Sequence, residues 1–197
     1  SAYVDIGRQL GSTFPPPPIQ AVLYNAQQFS EATQMHDYVG ALYDGKIRSP
    51  LTDDHGQWLA EPELRRRLTH EYVHVVVRNI AGSSVPWWVN EGLAQNLSQP
   101  LTEGATQQLQ ALYREGKAFS LADISGQEVQ QKSKEKVTQA YLQAHAAVNM
   151  LWSRYGKGKM LLLLQTFSRD VPQENALRQV YRKKLVTIDN DLANIYK

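Results

Sequence analysis

The chain has 197 residues, of which 42% are hydrophobic and 20% are charged, and its formal net charge is +2. This length supports a compact domain with its own core, and the composition is ordinary for a globular protein. Acidic and basic residues are interspersed, so no basic surface for nucleic acid is predicted. Because the chain has no cysteine, disulfides, thiolate metal ligands and a cysteine nucleophile are excluded.

The N-terminal third predicts a small β-sheet. Prolines at residues 15–18 form a stiff extended spacer, because proline fixes φ and has no backbone N–H to donate. Residues 19–24 alternate and are rich in β-formers, which predicts a strand. Residues 40–48 predict a β-hairpin, with Asp44 and Gly45 as its two-residue turn.

The remainder of the chain is predicted to be helical. Apolar residues recur at helical spacing from Glu61 until Gly82, and Pro86 marks the next helix start. Further helices are predicted over residues 102–114, 134–155, 157–168 and 173–183. The two short basic runs, residues 65–67 and 182–184, are each predicted to form a solvated helix face.

The most informative segment is His70-Glu71-Tyr72-Val73-His74, which has the pattern H-E-x-x-H. Two histidines four residues apart on a helix lie one turn apart on the same face, so both imidazoles can reach one zinc ion. Glu71 is offset by about 100° around the helix. It therefore lies beside the two histidines, where it can accept a proton from a metal-bound water.

A catalytic zinc site needs a third protein ligand and one open position. The helix that carries the histidines is predicted to end at Gly82, and Glu91 lies about five residues into the helix that Pro86 begins. An antiparallel pair of helices would bring Glu91 back to the histidines. Two other kinds of third ligand are excluded. A metzincin site needs Gly and His at the positions that Val77 and Ile80 occupy, and a deformylase-type site needs a cysteine, which the chain lacks.

The H-E-x-x-H segment and the later Pro86-Trp87-Trp88-Val89-Asn90-Glu91-Gly92-Leu93-Ala94 resemble the gluzincins, specifically the bacterial peptidase MA-like domains. The likeness is strong over residues 60–97 and looser elsewhere. It implies an α+β, zincin-like fold, in which a small N-terminal β-sheet packs on the zinc helix and the C-terminal half is mainly helical. It also implies that the predicted hairpin lines the substrate cleft.

The resemblance further implies a zinc-dependent peptidase that holds one zinc ion (Zn²⁺) per chain. Its ligands would be His70, His74 and Glu91, with Glu71 as the general base. Tyr141 would stabilise the oxyanion of the reaction, and His145, one turn further along the same predicted helix, is the alternative for this role. The expected partner is a peptide or protein substrate, and the lack of an acidic site for a substrate amino terminus beside the zinc motif favours an endopeptidase.

Two other functions remain open. One is an inactive zinc-binding or scaffolding module of a larger bacterial protein, and the other is a zinc hydrolase that acts on a non-peptide bond. We expect residues 1–197 to form a single catalytic domain, with sub-lobes at 1–98 and 99–197, excised from a longer protein. No membrane span is predicted, an exported or envelope location is suspected from the family, and the oligomeric state is not predicted.

Overall fold

The computed structural model of the chain describes residues 2–10, 19–33, 41–53 and 55–197. Its elements, in chain order, are α1 (Ala2–Leu10), β1 (Ala21–Tyr24), α2 (Ala26–Thr33), β2 (Leu42–Tyr43), β3 (Ile47–Pro50), α3 (Glu61–Ala81), α4 (Trp87–Ser98), α5 (Glu103–Arg114), a 3-10 helix (Gln127–Gln131), α6 (Lys134–Phe167), α7 (Gln173–Tyr181) and α8 (Leu185–Tyr196). This confirms the predicted α+β fold with a mainly helical C-terminal half. The proline spacer at residues 15–18 lies outside the described residues.

The sheet has three strands in the order β1-β3-β2. β1 is parallel to β3, and β2 is antiparallel to β3. The predicted hairpin is present, but its two-residue turn is wrong: Tyr43 pairs with Ile47, so the turn has three residues. Gly45, in the middle of the turn, has φ 102°, a conformation that glycine adopts without strain. The Asp44 carboxylate holds the turn by accepting a hydrogen bond from Nε of Arg48 at 3.0 Å.

The sheet packs on α3 through β2 and β3, as the resemblance implied. On its other side α3 packs against α4, and α4 in turn packs against α6. The turn between α3 and α4 begins at Gly82, whose φ of 71° ends the first helix. Trp87, Trp88 and Val89 at the start of α4 are fully buried, so the first turn of this helix is an anchor in the core.

The long helix α6 is interrupted at Gly156, which has φ 77° and ψ 168°. The predicted end of a helix at this residue is therefore confirmed, and the predicted helix over residues 157–168 follows at once as the second part of α6. Within the described residues, no helix combines the length and the apolar composition that a bilayer span requires.

Helix α2 was not predicted, and neither was the C-terminal helix α8. Helix α8 packs against α5, α6 and α7 and buries Ile188, Leu192 and Tyr196, which are spaced four residues apart. The basic run at residues 182–184 was predicted to form a helix face, and this prediction is wrong. The run connects α7 to α8. Within it, Lys183 Nζ lies 2.8 Å from the carboxylate of Asp191.

Candidate active site

His70, His74 and Glu91 converge at the interface of α3 and α4. The two imidazole rings on α3 lie edge to face, with their centroids 4.8 Å apart. Oε2 of Glu91 on α4 lies 3.4 Å from Nε2 of His70 and 3.4 Å from Nε2 of His74. All three side chains are largely buried. The antiparallel helices therefore bring Glu91 back to the histidine pair, and three donor atoms meet at one point.

Glu71 completes the cluster from the same helix. The potential ligand atoms of His70, Glu71 and His74 all lie within 4.8 Å of one another, an arrangement that can hold a metal ion. The Glu71 side chain is 5% exposed. Burial raises its pKa to about 7; the charge of Glu91 adds to this effect, and the charge of His74 opposes it. The carboxylate is therefore able to gain and lose a proton near neutral pH.

The charges of His70, His74 and Glu91 depend on one another. Burial alone would raise the pKa of Glu91, but the nearby charge of His74 and the close approach of both histidines outweigh it, so this pKa is lowered. Burial would lower the pKa of His74, but the nearby Glu91 carboxylate raises it. Burial also lowers the pKa of His70, and the nearby Glu91 carboxylate opposes this effect. The Glu91 carboxylate thus favours a positive charge beside it. Either a bound cation or a proton on a histidine can supply this charge.

Asn90 fixes the orientation of one histidine. Its Oδ1 lies 3.1 Å from Nδ1 of His74, so a proton on Nδ1 is donated to the amide oxygen. The lone pair of Nε2, which points to Glu91, is then free for a metal. The sequence pattern predicted no role for Asn90. Its position directly before Glu91 is the only sequence signal, because the contact depends on how α3 and α4 cross.

Gly92 permits the close approach of α4 to α6. A Cβ atom at this position would lie 2.2 Å from the carbonyl oxygen of Ala144 and 2.6 Å from Cγ2 of Val148. Real Cβ atoms do not approach backbone oxygen so closely, so only glycine fits here. The glycine directly after Glu91 therefore sets the depth at which α4 sits between its two neighbouring helices.

The candidate oxyanion residues, Tyr141 and His145, occupy different environments on α6. Tyr141 lines the cleft, and its ring packs edge-on against Trp87 at a centroid distance of 5.0 Å. His145 is 5% exposed and is not among the residues that line the cleft. Burial, together with the charge of His70, lowers the pKa of His145 to about 4, which keeps this imidazole neutral at pH 7. Of the two side chains, only that of Tyr141 faces the space where a substrate would lie.

The cluster opens into a cleft of about 1090 Å³. The first strand of the hairpin and its turn form one wall, and a role of this wall in substrate binding stays a prediction. The other walls come from α3, the α3–α4 turn, α4, the 3-10 helix and α6. Hairpin residues on the wall are Ala41, Tyr43, Asp44 and Gly45; from the 3-10 helix and α6 come Gln127, Gln130, Val137, Thr138 and Tyr141.

The basic run at residues 65–67 was predicted to form a solvated helix face, but in the structure it is not uniformly solvated. Arg66 and Arg67 line the cleft and are only 32% and 21% exposed, whereas Arg65 is 64% exposed. Arg66 donates two hydrogen bonds of 2.8 Å to the carboxylate of Glu63, and Arg67 Nε donates another at 2.7 Å. The hydrogen bonds from Arg66 lower the pKa of Glu63 to about 2, against the effect of burial. We call Glu63, Arg66 and Arg67 the Glu63 cluster.

One of three comparisons with known proteins found a match. The family model of the Peptidase MA superfamily matches residues 60–197, which include α3 to α8. No curated protein and no solved structure matches the chain. The match covers more than half of the chain and includes the complete cluster of His70, Glu71, His74 and Glu91. The chain therefore belongs to the Peptidase MA superfamily.

Proposed function

We propose that the chain is a zinc-dependent peptidase of the gluzincin type, in which His70, His74 and Glu91 bind the metal. The observation that carries this proposal is the separation of 3.4 Å between Glu91 Oε2 and each histidine Nε2. Two ligands that are each about 2.0–2.2 Å from a tetrahedral zinc ion lie about 3.3–3.6 Å apart. The donor set, two imidazoles and one carboxylate, is also one that catalytic zinc sites use.

The chemistry follows from what each side chain can do with a proton. Zinc bound at the three donor atoms supplies an acidified water and a Lewis acid for the scissile carbonyl. The Glu71 carboxylate takes the proton from the attacking water and delivers it to the leaving amine nitrogen. Glu71 lines the cleft beside the two histidines, where it can make both transfers. The Tyr141 hydroxyl, on the cleft wall, donates a hydrogen bond to the carbonyl oxygen as it becomes negative.

The substrate in this proposal is an extended peptide that lies between the hairpin and α3. Among the strands that the structure describes, β2 is at the edge of the sheet, so we expect its outer backbone groups to accept a peptide by strand addition. Residue 40, the first residue of the predicted hairpin, lies outside the described part of the structure. Among the described residues that line the cleft, the one acid outside the cluster of His70, Glu71, His74 and Glu91 is Asp44, which is bound to Arg48. This supports an endopeptidase, because an aminopeptidase must bind a free amino terminus.

The test begins with the metal. The purified protein should contain about one zinc per chain by mass spectrometry, and Glu91→Ala should lose it. A zinc content that survives in Glu91→Ala would show that the third ligand is elsewhere. Absence of zinc after reconstitution would favour the scaffolding module.

The second step tests the base. Glu71→Gln should keep its zinc and lose hydrolysis of a peptide library by about 10²–10⁴-fold, the size of general acid–base effects. Glu61→Gln is the matched control, because Glu61 is on the same helix and is 81% exposed. Undiminished hydrolysis in Glu71→Gln would refute the mechanism. Zinc binding without cleavage of any peptide would point to a hydrolase of another bond or to an inactive module.

A further inference from the structure

Arg78 is the one charged residue of the cleft, outside the metal cluster, that forms no ion pair within the described part of the chain. The two arginines of the Glu63 cluster share its carboxylate. Asp44, on the opposite wall, is bound to Arg48. Arg78 is exposed and lines the cleft. Its guanidinium therefore offers its donors to whatever enters the cleft.

Arg78 lies on the same face of α3 as the metal cluster. It follows His74 by four residues, which corresponds to a rise of about 6 Å and a rotation of about 40° beyond a full turn. Gly82, Ser83 and Val85, in the turn between α3 and α4, line the same end of the cleft. The chain has no acidic residue between Glu71 and Glu91, so this end has no negative charge from either helix or from the turn.

The acidic residue that does contact the α3–α4 turn is Asp170. Its carboxylate accepts a hydrogen bond from the Ser84 hydroxyl and is not among the residues that line the cleft. A cation in the last turn of a helix also interacts favourably with the helix dipole, and Arg78 gains this energy wherever its side chain points. The dipole therefore accounts for a positive charge here, but not for its position on the cleft wall.

We propose that Arg78 binds a carboxylate of the substrate and makes acidic peptides the preferred substrate class. This inference rests on the proposed peptidase function. A guanidinium pairs with a carboxylate through two parallel hydrogen bonds, a geometry that a neutral side chain does not reproduce. The helix rise and the reach of the side chain place the guanidinium about 6–10 Å along the cleft from the metal cluster. An extended peptide advances about 3.3 Å per residue, so the carboxylate lies two or three residues from the bond that is cleaved.

Two sources can supply such a carboxylate: an Asp or Glu side chain, or the carboxyl terminus of a short peptide. The experiment uses the full chain, loaded with zinc, in the Glu71→Gln background so that binding is measured without turnover. The probes are fluorescein-labelled alanine-rich decapeptides with a single Glu or Gln at each position, each made with a free carboxylate and with a terminal amide. Affinities are measured by fluorescence anisotropy.

We expect one or two Glu peptides to bind about tenfold more tightly than their Gln partners, the effect of a charge-assisted hydrogen bond in a partly exposed site. Arg78→Gln should abolish this difference. Arg65→Gln is the matched control and should retain it, because Arg65 is an exposed arginine of the same helix outside the cleft. Arg78→Lys should keep only part of the difference, because an ammonium lacks the planar fork.

A preference for the free carboxylate over the amide that disappears in Arg78→Gln would identify the terminus as the source. Equal affinities for every peptide of the Glu71→Gln chain with and without Arg78→Gln would overturn the inference. Turnover of the same peptides by the chain with Glu71 intact separates the two proposals. Hydrolysis that does not depend on Arg78 would support the proposed peptidase function and overturn the proposed preference for acidic peptides. Binding that depends on Arg78, without hydrolysis, would support the carboxylate site and refute the peptidase.

Discussion

Replacement of Gly92 by alanine tests whether the depth of α4 controls the active site. The new Cβ would lie 2.2 Å from the carbonyl oxygen of Ala144 and 2.6 Å from Val148 Cγ2. A normal contact needs about 3.2 Å or more, so α4 and α6 must separate by about 1 Å at this point. Because Gly92 follows Glu91 directly, the separation also moves the Glu91 carboxylate relative to the histidines on α3.

The expected magnitude combines two opposing effects. Overpacking a buried site costs about 1–3 kcal/mol, and a clash with rigid backbone belongs at the upper end of this range. Alanine favours a helix over glycine by about 1 kcal/mol. The net loss in the free energy of unfolding is therefore about 2 kcal/mol, which lowers Tm by about 4–8 °C for a domain of this size. A displacement of about 1 Å at one ligand should also weaken zinc binding by about tenfold or more.

Urea unfolding and chelator competition measure the two effects. Gly104→Ala is the control, because Gly104 is also helical and a Cβ there meets no atom within 4 Å. We expect this variant to be stabilised by about 0.4–1 kcal/mol, with unchanged zinc affinity. If Gly92→Ala were as stable as Gly104→Ala and bound zinc like the wild type, the argument that close helix packing positions Glu91 would be refuted.

Two further predictions concern side chains around the site. Asn90→Ala should raise the zinc dissociation constant about 10–100-fold, because it removes the partner of His74 Nδ1. Asn90→Asp keeps an acceptor and should bind zinc more tightly than Asn90→Ala. Equal zinc affinities of the two variants in chelator competition would contradict this role of Asn90. The pKa of Glu63 is lowered to about 2 from 4.5, so its stabilising effect is complete above about pH 4.5 and is lost as the pH falls towards 2. Because the Glu63 side chain is 34% exposed and solvent screens its charge, we expect this effect to contribute about 1 kcal/mol to the free energy of unfolding. Urea titrations should therefore show a Glu63→Gln deficit at pH 6 that disappears near pH 2, and a deficit independent of pH would contradict the argument.

The features that the sequence predicted correctly depend on residues close together in the chain. A helix period places His70 and His74 on one face whatever the rest of the molecule does. Gly82 and Pro86 end one helix and begin the next, which determines how far the chain travels before Glu91. The convergence of these residues therefore followed from helix geometry and the length of one turn.

Helix α8, which was not predicted, depends on partners elsewhere in the chain. α8 contains Thr187, Asp189, Asn190, Asp191 and Asn194, which are weak helix formers, and its buried face against α5, α6 and α7 stabilises it. One of its acids is also used structurally, because Asp189 accepts a hydrogen bond from the backbone N–H of Leu121.

The sequence by itself determined that α3 and α4 follow each other through a short turn and which residues are the candidate donors, because both follow from spacing along one helix and its neighbour. Only the tertiary structure decided which side chains surround them. The contact of Asn90 with His74, the position of Tyr141 on the cleft wall with His145 behind it, and the exposure of Arg78 to the cleft all depend on the angles and depths at which helices pack. Packing of this kind is set by shape complementarity between residues distant in the chain, which no local pattern encodes.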